Sequence, residues 1–177
     1  NSMNIFHMSD THISQTSHFN KSAFAAAFHE LSAGSYDLTV HSGDITQSGT
    51  RQEYEQAVKE FDKYGWPDIL VPGNHDKRSG GISLYKKYIG ESNGVMVDNN
   101  AVIVYVDSGV ADGNEGRVGT VKYNMIKDAL NEYQAKEIKI VVLHHHVVPI
   151  PRSGRERNVL ANAGDLLDLF LRFDVDL

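Results

Sequence analysis

The sequence predicts one α/β domain in which strands and helices alternate along the chain. Short apolar runs of strand-like periodicity alternate with segments of helical periodicity, a pattern typical of βαβ units in a largely parallel sheet. The length of 177 residues and the hydrophobic fraction of 41% fit a single domain over residues 1–177. Four apolar runs end at residues that bind divalent metals, namely Asp10 and His12, Asp44, Asn74 and His75, and His144. Because the carboxyl ends of parallel strands share one edge of a sheet, we expect these residues to converge there.

The first half of the chain is predicted to repeat strand, loop and helix three times. The predicted strands are 3–8, 38–40 and 69–71, and the predicted helices are 19–31, 50–64 and 83–88. Gly34 is a stop signal after the first helix, and Gly65 ends the second. Thr50 and Glu53 have the spacing of a capping box, which indicates that the second helix begins at Thr50.

The second half begins with a different pattern. Runs 95–97 and 102–106 flank the turn 98–100 and predict a β-hairpin or meander. The Gly-rich and acidic loop 108–119 is long enough to have a function. The remaining predicted elements are helix 120–134, strand 138–143, polar loop 147–157 and helix 158–172. Residues 174–177 have the pattern of one more strand, so we expect the domain to continue beyond them.

Composition excludes several kinds of site and partner. The chain has no cysteine, so any metal must be bound by oxygen and imidazole. The formal charge of -6 argues against a protein that coats nucleic acid nonspecifically, although bound divalent ions would still attract an anionic substrate. No apolar stretch approaches the roughly 20 residues of a membrane span. No signal peptide is evident, and Asn1-Ser2 before Met3 is typical of an expression scar, so we expect a cytosolic protein.

The first two candidate metal-binding motifs are weak when taken alone. Asp10 and His12 are two residues apart, so an extended backbone would point both side chains to one side. A surface aspartate and a histidine before a helix explain the pair equally well. Asp44 could bridge two ions with its two oxygens, but by itself it is better explained as a turn or N-cap residue.

The other two motifs are more specific. In Gly73-Asn74-His75-Asp76, the amide oxygen is a neutral ligand and the imidazole can donate a proton, which favours a functional role.

Three histidines, His144 to His146, follow an apolar run, and their side chains should alternate in direction. His144 is the predicted ligand because it lies at the strand end. A solvated cluster or adventitious metal binding remains the alternative. Mixed carboxylate, amide and imidazole ligands suit Mn, Fe or Zn better than Ca or Mg.

Taken together, these motifs resemble the calcineurin-like metallophosphoesterase superfamily. The stretch 43–49, Gly-Asp-Ile-Thr-Gln-Ser-Gly, and the stretch 73–76, Gly-Asn-His-Asp, are similar to the bacterial branch of cyclic-nucleotide and glycerophosphodiester phosphodiesterases. The resemblance implies a four-layer αββα sandwich with two central sheets, one of them mixed. It also implies that the domain is C-terminally incomplete, because the Gly-His-x-His motif that closes the family's site does not occur in the sequence.

The resemblance also implies a role for each residue. Asp10 and His12 would bind the first of two metal ions, Asp44 would bridge them, and Asn74 and His144 would bind the second. His75 would protonate the leaving oxygen while a hydroxide that bridges the two ions attacks phosphorus. The candidate substrate contacts, which could equally be solvated loop residues, are Arg78, His145, Arg152 and Arg155.

The sequence therefore favours a metal-dependent phosphoesterase that acts on a small phosphodiester, such as a cyclic nucleotide or a glycerophosphodiester. Loops 108–119 and 147–157 would select the substrate. A DNA-repair-type nuclease of the same superfamily is an alternative that the acidic balance disfavours. A non-catalytic scaffold that retains the fold is a second alternative. The sequence does not indicate the oligomeric state.

Overall fold

The computed structural model describes residues 2–152 and 158–177, which form two three-stranded sheets with helices on both outer faces. The first sheet contains β1 (Ile5–Met8), β2 (Leu38–His41) and β3 (Ile69–Leu70), all parallel and in that order. The second contains β4 (Gly94–Val97), β5 (Ala101–Tyr105) and β6 (Ile138–Val142), with β5 antiparallel to β4 and parallel to β6. The helices are α1 (Lys21–Ala33), α2 (Arg51–Tyr64), α3 (Gly81–Tyr88), α4 (Thr120–Glu132) and α5 (Ala163–Phe173), and a 3-10 helix spans His75–Gly80.

Three apolar clusters define four layers. The cluster between the sheets combines residues of both, including Val40 and Ile69 of the first sheet with Ile103 and Ile140 of the second. Because side chains alternate along a strand, neighbours of these residues face outward. On β5, Val102 and Val104 pack with residues of α4 and α5, and on the first sheet Met8 and Leu70 pack against α1, α2 and α3. The four-layer αββα sandwich implied by the resemblance is therefore confirmed.

Local signals place the helices near the site. The predicted capping box is present, since the Thr50 hydroxyl accepts from the Glu53 N–H and the Glu53 carboxylate accepts from the Thr50 N–H. The same carboxylate accepts from the Ser48 N–H at 2.9 Å, so the cap also fixes the loop that leads from β2 to α2. Helix α1 begins later than predicted because the Asn20 side chain caps it by accepting from the Ala23 N–H.

The structure corrects the expectation that the four strands that end at metal-binding residues share one sheet. Strand β6 lies in the second sheet, because the hairpin of β4 and β5 pairs with β6 and not with β3. Helix α5 begins at Ala163 and not near 158, because Val159 forms a parallel bridge with His146. The Leu160 N–H also donates to the His146 carbonyl, and both contacts hold this segment outside the helix.

Residues 174–177 follow the course expected of a strand, although they are not part of a regular one. The Asp176 N–H donates to the Lys139 carbonyl and the Val141 N–H donates to the Leu177 carbonyl, at 2.9 and 2.8 Å. The chain therefore continues along β6 with parallel hydrogen bonding. Among the helices of residues 2–152 and 158–177, none has the length and apolarity needed to cross a membrane.

A buried ion pair joins the loops of the two sheets. The Lys77 ammonium, from the loop after β3, donates to Asp107 Oδ2 at 2.7 Å and to the Gly109 carbonyl. Asp107 follows β5, and its carboxylate also accepts from Lys122 Nζ at 3.0 Å. Lys77 and Asp107 are 6% and 5% exposed, so loss of either partner would leave a charge that water cannot solvate.

We predict that Lys77→Met lowers the free energy of unfolding by about 3 kcal/mol, because Lys122 is then the one cation among the described residues that still pairs with the buried Asp107 carboxylate. Urea unfolding in the presence of a chelator measures this without any contribution from bound metal. The matched control is Lys86→Met, which breaks the exposed pair of Lys86 and Glu91 and should cost less than about 1 kcal/mol. Equal losses in the two variants would contradict the prediction.

Candidate metal centre

The loops after β1 and β2 lie side by side in an unusual backbone conformation. The Asp10 N–H donates to the Gly43 carbonyl and the His12 N–H donates to the Asp44 carbonyl, at 2.9 and 3.0 Å. Asp10, His12 and Asp44 have φ values of 56°, 46° and 54°. Such conformations cost residues other than glycine about 1 to 3 kcal/mol and persist where surrounding contacts enforce them, often at functional sites. The extended backbone expected for Asp10 and His12 is therefore wrong, although the two side chains still lie together.

The carboxylate of Asp44 lies at the centre of the predicted ligands. It is 2% exposed, and its Oδ2 atom is 3.8 Å from His12 Nε2 and 3.9 Å from His75 Nε2. Its Oδ1 atom is 3.5 Å from His144 Nε2 and accepts from the His75 N–H at 2.9 Å. Asp10 Oδ1 lies 3.6 Å from His12 Nε2 at the more exposed side of the group.

The ring of His144 is oriented by contacts at both of its nitrogens. Its Nδ1 atom lies 3.0 Å from the Ser42 carbonyl, which can only accept, so Nδ1 carries the proton. In the neutral ring, the Nε2 lone pair then faces Asn74 Oδ1 at 3.2 Å and Asp44 Oδ1 at 3.5 Å. Three acceptors at this range are stabilised by a positive charge placed among them, whether a metal ion or a proton on Nε2. The donor set therefore fits a cation.

Asn74 is oriented by a contact on the other side of its amide. Its Nδ2 atom donates to Asn114 Oδ1 at 3.2 Å, which leaves Oδ1 facing His144. Asn114 belongs to the loop between β5 and α4, and its carbonyl oxygen also accepts from the Arg78 guanidinium at 3.1 Å. The loop thus presents one side chain to both a predicted ligand and a predicted substrate contact.

His75 is oriented by the protein backbone. Its Nδ1 atom lies 2.7 Å from the Gln47 carbonyl, and its Nε2 atom faces the Asp44 side of the centre. The Arg78 guanidinium lies 2.9 Å from the same Nδ1 atom. Burial lowers the pKa of His75 against the opposing effects of the Asp44 carboxylate and the Gln47 carbonyl, and the positive charges of Arg78 and His12 add to the lowering.

Charges around the centre affect Asp10 and His12 in opposite directions. Burial alone would raise the pKa of the Asp10 carboxyl, but His12, the Ser9 hydroxyl and His144 outweigh it and hold the pKa well below its usual value. The Asp10 carboxylate in turn raises the pKa of His12, and Asp44 adds to this effect against the burial of the ring. The carboxylates therefore attract positive charge at this position.

Two three-residue clusters share Asp44. One consists of His12, Asp44 and His75, and the other of Asp10, Asp44 and His144, with candidate ligand atoms within 4.8 Å of one another in each. Two clusters around one carboxylate fit a pair of ions that would share Asp44. The grouping differs from the one implied by the resemblance, which pairs Asp10 with His12 and assigns His75 no metal.

The comparison with protein families agrees with this geometry. A family model described as "Calcineurin-like phosphoesterase" matches residues 3–177.

The chain belongs to the calcineurin-like phosphoesterase family.

Curated relatives of this calcineurin-like phosphoesterase chain are similar at low identity. A probable cyclic nucleotide phosphodiesterase of Coxiella burnetii is 24% identical over 184 residues, which cover 98% of this chain and 72% of that protein. The 3',5'-cyclic adenosine monophosphate phosphodiesterase CpdA of Escherichia coli K12 is 25% identical over 139 residues, 78% of this chain and 50% of that protein. The glycerophosphodiester phosphodiesterase GpdQ of Enterobacter lignolyticus is 25% identical over 191 residues, 97% of this chain and 66% of that protein. The chain thus spans between half and three quarters of these relatives.

A solved structure supports the fold. The purple acid phosphatase PPD1 from yellow lupin seeds aligns with a TM-score of 0.66 at 13% identity, over 98% of this chain and 36% of that chain. At this identity the likeness concerns the arrangement of sheets and helices. It agrees with the four layers of this calcineurin-like phosphoesterase domain.

The predicted substrate contacts of this domain differ in whether they touch residues of the centre. Arg78 contacts His75 and Asn114 at the centre. His145 is 3% exposed and lies against Ser108 Oγ at 2.9 Å, and burial lowers its pKa to about 4. Arg152 lies in an exposed turn at φ 65°, and among the described residues no side chain of the centre is hydrogen-bonded to it. Arg155 lies outside the described residues.

Sequence reasoning missed a buried histidine that holds the first two loops together. His41 is the last residue of β2 and is fully buried. Its Nδ1 atom accepts from the Gly43 N–H at 3.2 Å, so its Nε2–H donates to the Thr11 hydroxyl at 3.0 Å. Thr11 donates onward to the Ile45 carbonyl. The sequence signal for this role is the position of a histidine at the end of a short apolar strand.

We predict that His41 makes the protein less stable as the pH falls. Burial lowers the pKa of His41 to about 3 in the folded state, against 6.5 in the unfolded chain. The unfolded chain therefore binds the proton first, and stability present above pH 6.5 is lost progressively towards pH 3. Between pH 7 and pH 5 this one residue should remove about 2 kcal/mol from the free energy of unfolding.

Urea unfolding at a series of pH values, with chelator present, measures the effect. His41→Gln can accept from Gly43 and donate to Thr11 without titrating, so its stability should fall less between pH 7 and pH 5. His29→Gln replaces an exposed histidine and is the matched control. A pH dependence in His41→Gln as steep as in the unaltered protein would refute the prediction.

Proposed function

We propose that the protein is a metal-dependent phosphoesterase that hydrolyses a small phosphodiester. The observation that carries this proposal is the Asp44 carboxylate, which is buried and shared by two clusters of metal-binding side chains. Family membership and relatives named as phosphodiesterases support the same reaction class. A scaffold would not need three strained ligand conformations, so they favour catalysis over the non-catalytic alternative.

Asp10, His12, Asp44, Asn74 and His144 would hold two ions, for which Mn, Fe or Zn is the best match to the ligands. When bound, such ions supply Lewis acidity to the phosphate oxygens and lower the pKa of water towards neutrality. The protein's own contribution is orientation. Ser42 fixes the His144 tautomer and Asn114 turns the Asn74 oxygen inward.

His75 is the proposed general acid. Its Nδ1 atom is engaged by the Gln47 carbonyl, so Nε2 is the atom from which a proton would pass to the leaving oxygen. The lowered pKa of His75, caused first by burial, makes the protonated ring a stronger acid. Arg78 lies beside this ring and is the proposed contact for a substrate phosphate or its substituent.

A small diester is the proposed substrate class, with cyclic nucleotides and glycerophosphodiesters as candidates by analogy with the named relatives. His145, Arg152 and Arg155 remain predicted contacts. The net charge of -6 disfavours a nuclease, which has to bind a polyanionic strand. The cytosolic location also stays a prediction.

Replacing the shared carboxylate tests the proposal. We expect Asp44→Ala to reduce hydrolysis of bis-p-nitrophenyl phosphate by about 10³-fold or more, because neither cluster keeps its common ligand. Metal analysis should show loss of bound Mn, Fe or Zn in the same variant. Asp168→Asn, at an exposed aspartate paired with Arg172, should retain both properties. A folded Asp44→Ala protein with normal turnover would exclude the proposed reaction.

Replacing His75 separates its two potential roles. If His75 is the general acid, His75→Asn should slow an alkyl phosphodiester about 10²- to 10⁴-fold. It should affect bis-p-nitrophenyl phosphate much less, because p-nitrophenolate leaves without a proton. Metal content should be unchanged. Loss of metal together with equal losses on both substrates would assign His75 to the ligand set, as its proximity to His12 and Asp44 allows.

A further inference from the structure

A second buried aspartate lies behind the centre. Asp76 is 0% exposed, and four donors surround its carboxylate. Oδ2 accepts from the Ile45 N–H at 3.0 Å and the Gly73 N–H at 2.8 Å. Oδ1 accepts from the Thr46 N–H at 2.7 Å and the Thr46 hydroxyl at 2.8 Å.

These four bonds connect the loops that carry two of the predicted metal ligands. Ile45 and Thr46 directly follow Asp44, and Gly73 directly precedes Asn74. The two loops touch here, since a Cβ atom at Gly73 would overlap the Asp44 carboxylate. Asp76 thus holds the backbone immediately after one ligand and immediately before the other.

The main chain of Asp76 is itself fixed. The hydroxyl of Tyr54, a fully buried residue of α2, donates to the Asp76 carbonyl at 2.7 Å. The carboxylate is therefore attached to the helical layer and not only to the loops. Asp44 has a positive φ of 54°, and hydrogen bonds to the next two N–H groups oppose relaxation of that conformation.

Such an arrangement is costly for the fold alone. Among residues 2–152 and 158–177, no lysine or arginine forms an ion pair with Asp76. A buried carboxylate without a cationic partner depends on its hydrogen bonds to offset the loss of solvation. The oxygens are engaged by N–H and O–H donors and are not part of either ligand cluster.

We propose that Asp76 is a positioning residue that sets the spacing of Asp44 and Asn74 and thereby the affinity of the centre for metal. The inference rests on the proposed function, because it assigns Asp44 and Asn74 to metal binding. Asp76 acts through the backbone of its neighbours. Residues of this kind, which orient the ligands of a metal, typically change its affinity 10- to 100-fold when replaced.

The test is a titration of the metal-free full chain with Mn²⁺. Calorimetry measures the affinity, and the electron paramagnetic resonance of the bound ion reports on its environment. Asp76→Asn keeps the shape of the side chain, but its NH₂ group must face an N–H donor. We expect Mn²⁺ affinity to fall about 10- to 100-fold. The matched control is Glu60→Gln, which replaces a carboxylate that is 6% exposed and pairs with Lys21 on the α1–α2 face. Its Mn²⁺ affinity should stay within about twofold of the unaltered chain.

Thr46→Val keeps the test decisive if Asp76→Asn does not fold. It removes one of the four donors and preserves side-chain volume, so Mn²⁺ affinity should fall by a smaller factor, about threefold to tenfold. Unchanged Mn²⁺ affinity in a folded Asp76→Asn, or in Thr46→Val when the former is unfolded, would overturn the proposal.

The outcome is distinguishable from failure of the proposed function. An unaltered chain that binds Mn²⁺ but hydrolyses no phosphodiester would refute the function, while the affinities would still decide the role of Asp76. An unaltered chain that binds no Mn²⁺ would overturn both.

Discussion

The buried carboxylate of Asp44 is the constraint on which the rest of the molecule depends. Around it lie the Asp10 carboxylate, the Asn74 side-chain oxygen and the imidazole rings of His12, His75 and His144. Most of these groups present an acceptor atom to the others at short range. The oxygen acceptors among these groups repel one another where little water can separate them. The chain holds them together with strained φ angles, glycines at close approaches and hydrogen bonds from the backbone. The fold thus holds together an arrangement that bound cations would stabilise.

The two-sheet architecture explains where the predicted ligands come from. Three loops of the first sheet supply Asp10, His12, Asp44 and Asn74, and the loop after β6 of the second supplies His144. The centre therefore depends on the alignment of the sheets, which the apolar cluster between them and the Lys77–Asp107 pair maintain. Two consecutive residues contribute to this alignment. Asp76 accepts hydrogen bonds from loops of the first sheet, while Lys77 pairs with Asp107 of the second. A short turn after β3 thus connects both halves of the site.

The features that could be predicted from sequence are those with local or periodic causes. Strand ends, the capping box at Thr50 and the hairpin around residues 98–100 all follow from side-chain patterns and turn chemistry. The assignment of β6 to a second sheet could not be predicted, because strand pairing depends on distant partners. The left-handed backbone at Asp10 and His12 could not be predicted from the sequence either, because contacts with the neighbouring loop impose it. Asn114 carried no signal at all, because its role arises from where its loop packs.

The imidazole of His144 has a packing role apart from its predicted role as a metal ligand. It packs so closely against Gly43 that a Cβ there would come within 2.6 Å of its Nδ1 atom, while Nδ1 also donates to the neighbouring Ser42 carbonyl. The His144 ring, from the loop after β6 of the second sheet, thus packs against the loop after β2 of the first sheet. This contact opposes sliding of one sheet over the other. Whatever immobilises that ring also resists shear across the central core. A cation held by His144 would therefore stiffen this contact between the sheets, and protection of the β2 and β6 amides from solvent exchange would report on it.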